Sequence, residues 1–264
     1  MRLRTATVSD QRATTPRLRW LTLAAPDLAR EVRAGHYLLV RCDGPGDTQR
    51  LLRRPLFVAA AEPALGQVGL LFEPDEPGLA WLARLHPGDE LDVLGPLGRP
   101  FALAPRTRSL LLVGAGRGLP ALLCLARQAA SGGAAVALVA GAAHRDSLPP
   151  PFLLPQAVEY ETTVGPVTDL LDASRGRSAP SPLAASPILW ADQLFAALAP
   201  SDVEPLRDAV RAAKLRWERG FASVLLEGPL VCGVGACNAC VVELRRGARL
   251  LCADGPTFDL RDLA

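Results

Sequence analysis

Cysteine spacing constrains this chain before anything else does. Cys232, Cys237, Cys240 and Cys252 fall within 21 of its 264 residues, in the pattern C-x4-C-x2-C-x11-C. Three thiols on one short loop, with a fourth returning from a hairpin over Val241 to Leu251, fit the four-thiolate set of a plant-type [2Fe-2S] site. The small residues between them let backbone N–H groups approach the sulfurs and tune the potential. A four-cysteine zinc site is the alternative, although zinc usually takes two short knuckles rather than three cysteines on one loop. A disulfide framework would need an oxidising compartment. The N-terminus, MRLRTATVSDQRATT, lacks the apolar core of an export signal, and no run approaches the ~18 apolar residues that span a bilayer. A cytoplasmic protein is therefore expected. Cys42 and Cys124 stand alone and read as small buried apolar residues.

Charge removes two partner classes. The net charge of +2 comes from 29 basic and 27 acidic residues, so nothing in the balance draws the chain to nucleic acid or an anionic membrane. With 49% apolar residues there is ample material for buried cores.

The first hundred residues hold short apolar runs between Gly, Pro and Asp punctuation: Tyr37–Arg41, Val68–Phe72 and Leu91–Leu94. They predict a small antiparallel barrel or sandwich, with a brief helix over 79–85. From Ser109 the pattern becomes strand (Ser109–Val113), glycine turn (Gly114-Ala-Gly-Arg-Gly118), helix (Leu119–Ala130) and strand (Ala135–Val139). That is a βαβ unit of a parallel sheet. Residues 173–187 are a Ser/Pro/Ala-rich loop, and Ile188–Trp190 is expected to be a further strand. Ser201-Asp-Val-Glu204 has the form of a capping box. It opens a helix whose apolar face (Val203, Leu206, Val210, Ala213, Trp217) runs on until Gly220 stops it.

The tail, CGVGACNACVVELRRGARLLCADGPTFDL, closely resembles the C-terminus of the dihydroorotate dehydrogenase electron transfer subunits, which are ferredoxin reductase-like iron-sulfur flavoproteins. Cys252-Ala-Asp-Gly-Pro-Thr-Phe258 matches that family's Cys-x-Asp-Gly-Pro-x-Phe ending. Weaker likeness continues upstream. Ala34-Gly-His-Tyr37 stands where the family has Pro-Gly-Gln-Phe, Leu52-Arg-Arg-Pro-Leu56 matches its flavin segment, and Gly95-Pro-Leu-Gly98 with Phe101 matches the turn that closes its barrel.

The resemblance implies a multidomain α+β chain. An FAD-binding-like antiparallel β-barrel takes 1–104, an α/β parallel-sheet nucleotide-binding-like domain 105–200, and a connecting helix with the [2Fe-2S] domain 201–264. It implies cluster ligation by the four tail cysteines. FAD would lie along Arg54, Pro55, Leu56, Phe57, Leu71, Phe72, Gly78, Leu79 and Gly95, with the Arg54 guanidinium on its diphosphate. NAD would lie on Gly114, Gly116 and Gly118 at a helix N-terminus. The chain departs from the family pattern at several points. Phe57 replaces a flavin-facing serine, Glu73 replaces an arginine, and Leu79 replaces a hydroxyl residue. Trp190-Ala-Asp-Gln193 stands in place of the Cys-Gly-Pro that flanks the nicotinamide, and Tyr160–Thr163 in place of a Thr-Asp-Asp-Gly-Ser segment. An acid at position 73 is expected to repel the diphosphate.

The implied role is accessory. An FMN-containing catalytic subunit, in a heterotetramer, oxidises dihydroorotate for pyrimidine synthesis. This chain passes the electrons through the cluster and FAD to NAD+. Two other readings stay open: an iron-sulfur relay for another oxidoreductase with degenerate FAD and NAD sites, and a zinc-stapled scaffold.

Overall fold

The computed structural model describes residues 2–44, 51–171 and 186–263. Most of the loop expected at 173–187 lies outside them. The N-terminal part consists of β1 (Arg2–Ala13), β2 (Arg19–Ala24), α1 (Pro26–Glu31), β3 (Tyr37–Val40), β4 (Arg54–Glu62), β5 (Gln67–Phe72), α2 (Pro77–Leu82) and β6 (Glu90–Leu97). Its strands form a closed antiparallel barrel in the order β1-β2-β5-β4-β3-β6. Alternation places the residues: along β6, Leu91, Val93, Gly95 and Leu97 are buried, while the residues between them are not.

The second layer holds β7 (Ser109–Ala115), α3 (Leu119–Ser131), β8 (Ala135–Ala142), β9 (Val158–Val164), α4 (Pro187–Trp190), β10 (Gln193–Leu198), α5 (Val203–Ala213) and β11 (Ala222–Leu226). The cluster hairpin, β12 (Val241–Leu244) with β13 (Gly247–Leu250), and the last strand, β14 (Thr257–Asp259), follow. The sheet order is β14-β11-β10-β7-β8-β9. Five strands are parallel, and only β14 runs antiparallel, on β11. Continuous buried runs such as Leu110–Val113 suit strands covered on both faces. Helix α3 packs on this sheet and also against β4, which ties the barrel to it. No helix among the described residues is long and apolar enough to cross a membrane.

Four expectations need correction. Ile188–Trp190 is not a strand but part of helical turn α4, opened by Pro187 and by Ser186, whose hydroxyl accepts from Leu189 N at 3.4 Å. The capping box does not form. Asp202 takes the N-cap, so the third helical residue is Pro205, which has no N–H to offer. Helix α5 ends at Ala213, well before Gly220, because Lys214 turns extended and Leu215 is 97% exposed. Finally, strands β11 and β14 lie beyond residue 200 yet belong to the same sheet, so a boundary at 201 cuts through it. Between β11 and β14, the stretch from Leu226 to Thr257 stands outside that sheet.

Candidate cofactor sites

The cluster loop leaves β11 at Glu227 and carries Cys232, Cys237 and Cys240 in a run of tight turns. Gly233 and Gly235 take positive φ (72° and 75°), which an L side chain resists. A side chain on Gly233 would also strike Leu97 and Leu39 of the barrel, at 2.8 and 3.0 Å, so the loop presses directly on β3 and β6. Cys252 returns through the hairpin to within 3.4 Å of Cys240, sulfur to sulfur. The other two cysteines lie beside each other, close enough for Cys237 to bear on the Cys232 thiol.

Backbone N–H groups converge on these sulfurs. Gly235 N donates to Cys252 Sγ at 3.2 Å, and Cys252 N to Cys240 Sγ at 3.5 Å. N–H groups of Val234 and Cys237, with that of Ala236 behind them, lower the Cys232 thiol to about 6. Burial pushes Cys252 up to about 12, so its thiolate needs a cationic partner to be stable there. Among the described residues no three ligating side chains gather where one metal ion could take them all. The donor set and its pairing fit the [2Fe-2S] cluster.

A second site lies where the barrel meets the carboxyl ends of β7 and β8, the usual ligand position of an open α/β sheet. Here a cavity of about 690 Å³ has apolar walls from Leu18, Pro55, Leu56, Leu71, Phe72 and Leu79. That volume suits a nucleotide-sized ligand. Arg54 and Gly116 also line it. Phe57, Gly78, Gly95, Gly114 and Gly118 do not. Phe57 is turned into the barrel core against Tyr37, Gly95 packs on Leu38, and Gly114 lies under Leu119 and Leu122.

The anion-binding groups of this cavity are engaged from within the chain. Arg54 donates from Nε to Glu76 Oε1 at 3.0 Å and from Nη2 to Oε2 at 2.9 Å. The same carboxylate accepts from Gly78 N (3.0 Å) and Leu79 N (2.7 Å) at the start of α2. Burial would raise the Glu76 carboxyl, but the Arg54 bond and the two N–H groups outweigh it and hold it at about 2. The acid that answers Arg54 is therefore Glu76. Glu73 sits at the rim, 3.4 Å from Arg17, and does not oppose Arg54. Neither Glu76 nor its neighbour Asp75, which reaches Arg117 across the seam at 2.9 Å, stood out in the sequence. An acid directly before Pro77, at a helix start, was the available signal.

The glycine turn is answered in the same way. Glu227 Oε1 accepts from Gly118 N at 2.7 Å, and a side chain on Gly116 would lie 2.6 Å from it. Burial raises the Glu227 carboxyl above its usual range, against the pull of the Gly118 N–H and the Arg117 charge. Leu119 N is turned back to Gly116 O and Pro120 has no N–H, so few donors remain for a nucleotide diphosphate. Trp190–Gln193 is at the wrong end of the sheet for a nicotinamide, since it leads into the amino end of β10. The carboxyl end of that strand is Leu198, followed by Ala199 and Pro200. Gln193 is instead a structural clamp. Its Oε1 accepts from Ala104 N (2.9 Å) and Thr107 Oγ1 (2.5 Å), and its Nε2 donates to Gly220 O (2.9 Å). Tyr160 is likewise structural, donating to Pro149 O at 2.9 Å.

Residues 227–264 match the iron-sulfur cluster binding domain of dihydroorotate dehydrogenase B. Proteins named dihydroorotate dehydrogenase B (NAD(+)), electron transfer subunit, are similar over most of the chain. The one from Shouchella clausii is 34% identical, covering 87% of this chain and 85% of its own length. Those from Geobacillus kaustophilus and Streptococcus mutans are 33% and 30% identical, each covering 96% of this chain and 95% of theirs. Among solved structures, an NADH-dependent reduced ferredoxin-NADP oxidoreductase studied for electron bifurcation superposes with a TM-score of 0.75 at 22% identity, over 98% of this chain and 89% of its own. Phthalate dioxygenase reductase gives 0.59 at 16%, over 92% and 87%. At those identities the two structures speak for the fold alone.

Proposed function

The chain belongs to the dihydroorotate dehydrogenase B electron transfer subunit family, and on that footing we propose that it carries electrons from an FMN-containing catalytic subunit towards NAD+, with a [2Fe-2S] cluster and FAD as its cofactors. The observation that carries this reading is the pairing of Cys232 with Cys237 and of Cys240 with Cys252 beneath converging N–H groups. On this reading each pair serves one iron. When bound, the cluster supplies single-electron carriage and the flavin exchanges single electrons for a hydride.

The chain's own part is to bind, orient and insulate. Val234, Ala236 and Cys237 offer N–H groups to the Cys232 thiolate, and Gly235 offers one to Cys252. Leu56, Leu71, Phe72 and Leu79 provide the apolar wall for a flavin, and Arg54 the charge for its diphosphate. The assembly proposed is a heterotetramer with the catalytic subunit, in the cytoplasm, where thiols stay reduced. Its units are the barrel, the α/β sheet closed by β14, and the cluster segment between Leu226 and Thr257.

One observation favours a second reading for the last step only. Glu227 holds the Gly118 N–H, so NAD+ must compete for the glycine turn. In that reading the chain is a relay that stops short of NAD+.

The test is anaerobic purification with iron, sulfide and flavin analysis, followed by mixing with the FMN subunit. About two irons and two sulfides per chain are expected, with dihydroorotate-dependent NADH only in the mixture. Cluster bleaching without NADH supports the relay. Stoichiometric zinc without sulfide overturns both.

A further inference from the structure

The hydroxyl of Tyr37 is a buried donor with no hydrogen-bond partner among the described residues. Tyr37 opens β3, is 0% exposed, and stands opposite Phe57 on β4 and Leu97 on β6. Its ring meets Phe57 edge-on with centroids 5.8 Å apart. A buried hydroxyl left unpaired is rare, and a redox group or ion is among the usual reasons for one.

Several contacts put this ring on the seam between barrel and cluster segment. A side chain built on Gly98 would lie 3.0 Å from Tyr37 Cε1 and 2.7 Å from Pro256 Cδ, so the ring and the chain just past Cys252 flank one glycine. Arg99 N donates to Gly255 O at 2.6 Å, fixing the same seam. Gly233, next to Cys232, abuts Leu39, two residues along β3, and Leu97, the β6 partner of Tyr37. The phenol is pushed up from its ordinary value first by burial and then by the sulfurs of Cys252, Cys240 and Cys232.

We propose that Tyr37 donates a hydrogen bond to the sulfur face of the [2Fe-2S] cluster and raises its reduction potential. This rests on the cluster reading given above. Reduction adds negative charge to the cluster, so a donor at its sulfurs stabilises the reduced state more than the oxidised one. The resembling family segment ends in Phe where this chain has Tyr37, so the hydroxyl is the part added here to an aromatic position. Tyr37 neither ligates nor carries the electron; it sets how readily the cluster accepts one.

The experiment compares the full-length chain and Tyr37→Phe, both reconstituted anaerobically, by iron and sulfide analysis and by redox titration followed by EPR. With equal iron and sulfide, the variant should be about tenfold harder to reduce at equilibrium, about 59 mV lower for one electron. An unchanged midpoint overturns the proposal. A wild-type chain without iron and sulfide overturns the cluster reading itself, a failure the metal analysis identifies separately. If Tyr37→Phe does not retain its cluster, 3-fluorotyrosine decides. The chain has two tyrosines, so labelling in a Tyr160→Phe background alters Tyr37 alone. A more acidic phenol donates more strongly, and the midpoint should rise; a midpoint that stays put refutes the hydrogen bond.

Discussion

Replacing Glu76 by glutamine should tighten FAD binding although it weakens the apoprotein. The Glu76 carboxyl is held at about 2 against an ordinary 4.5. At about 1.4 kcal/mol per pKa unit, that gap corresponds to about 3 kcal/mol of preference for the charged form. Its side chain retains 24% exposure at a cavity mouth open to solvent, so screening leaves about 1–2 kcal/mol as the barrier to displacing it from Arg54. Glu76→Gln removes the charge that competes with a diphosphate for Arg54 and Leu79 N at the cavity wall. FAD affinity should rise about tenfold, which is the 1.4 kcal/mol equivalent. Loss of the cap on α2 should cost the apoprotein about 1 kcal/mol. Titration of flavin-free protein with FAD, read by flavin fluorescence, measures the first effect, and urea unfolding the second. Glu73→Gln is the control, because among the described residues Glu73 pairs with Arg17, at 3.4 Å, and not with Arg54. It should change FAD affinity less than twofold. Equal or weaker binding by Glu76→Gln, or a larger gain from Glu73→Gln, would refute the reasoning.

Gln193→Leu strands Ala104 N, Thr107 Oγ1 and Gly220 O in a buried clamp. It should cost about 3 kcal/mol in chemical unfolding, at about 1 kcal/mol per lost bond, and a loss below 1 kcal/mol would show the clamp to be slack. His36 is held at about 4 by burial and by Arg33, and its Nδ1 accepts from Arg33 N at 3.0 Å. Because the folded value lies below the ordinary 6.5, its contribution is complete above 6.5 and is lost as pH falls towards 4. His36→Asn, which keeps an acceptor but cannot charge, should flatten the pH–stability profile across that window in thermal melts. Cys232→Ser should lose most of its iron while far-UV circular dichroism of barrel and sheet is retained, since Cys232 lies on the segment outside both. Full iron content in that variant would remove Cys232 from the ligand set.

Legibility in the sequence followed the range of the interaction. The cysteine loop was readable because all four ligands lie on one local segment. Strands β3, β5 and β6 were visible as apolar runs, and α3 followed from the glycine turn before it. Strand β1 was hidden, since among its Arg, Thr, Asp and Gln residues only Ala6 and Val8 are buried. Ile188-Leu-Trp190 looked like strand because three apolar residues carry no period. The Ser-Pro pair in front of it, a helix start, was the better guide. What no local pattern could reveal was which groups the two carboxylates would hold. Glu76 lies 22 residues from Arg54 and Glu227 lies 109 from Gly118, so each pairing exists only once the barrel and sheet have closed. Tyr37 belongs to the same class. Its hydroxyl looks ordinary until the cluster segment folds back on β3.

The attachment of the cluster segment at both of its ends has a consequence for how the protein ages. Strand β14 follows it directly and is only three residues long, paired to β11 through Ser223–Asp259, Val224–Phe258 and Leu225–Thr257. That short strand is what covers the outer edge of β11, whose Val224, Leu225 and Leu226 are buried. A bound cluster cross-links the chain immediately before β14 and so helps hold the cover in place. Iron loss loosens the cross-link, and an uncovered apolar edge strand is a template for pairing with another chain. Oxidative damage to the metal and self-association of the polypeptide are thereby coupled: protein stored in air should lose colour first and precipitate afterwards.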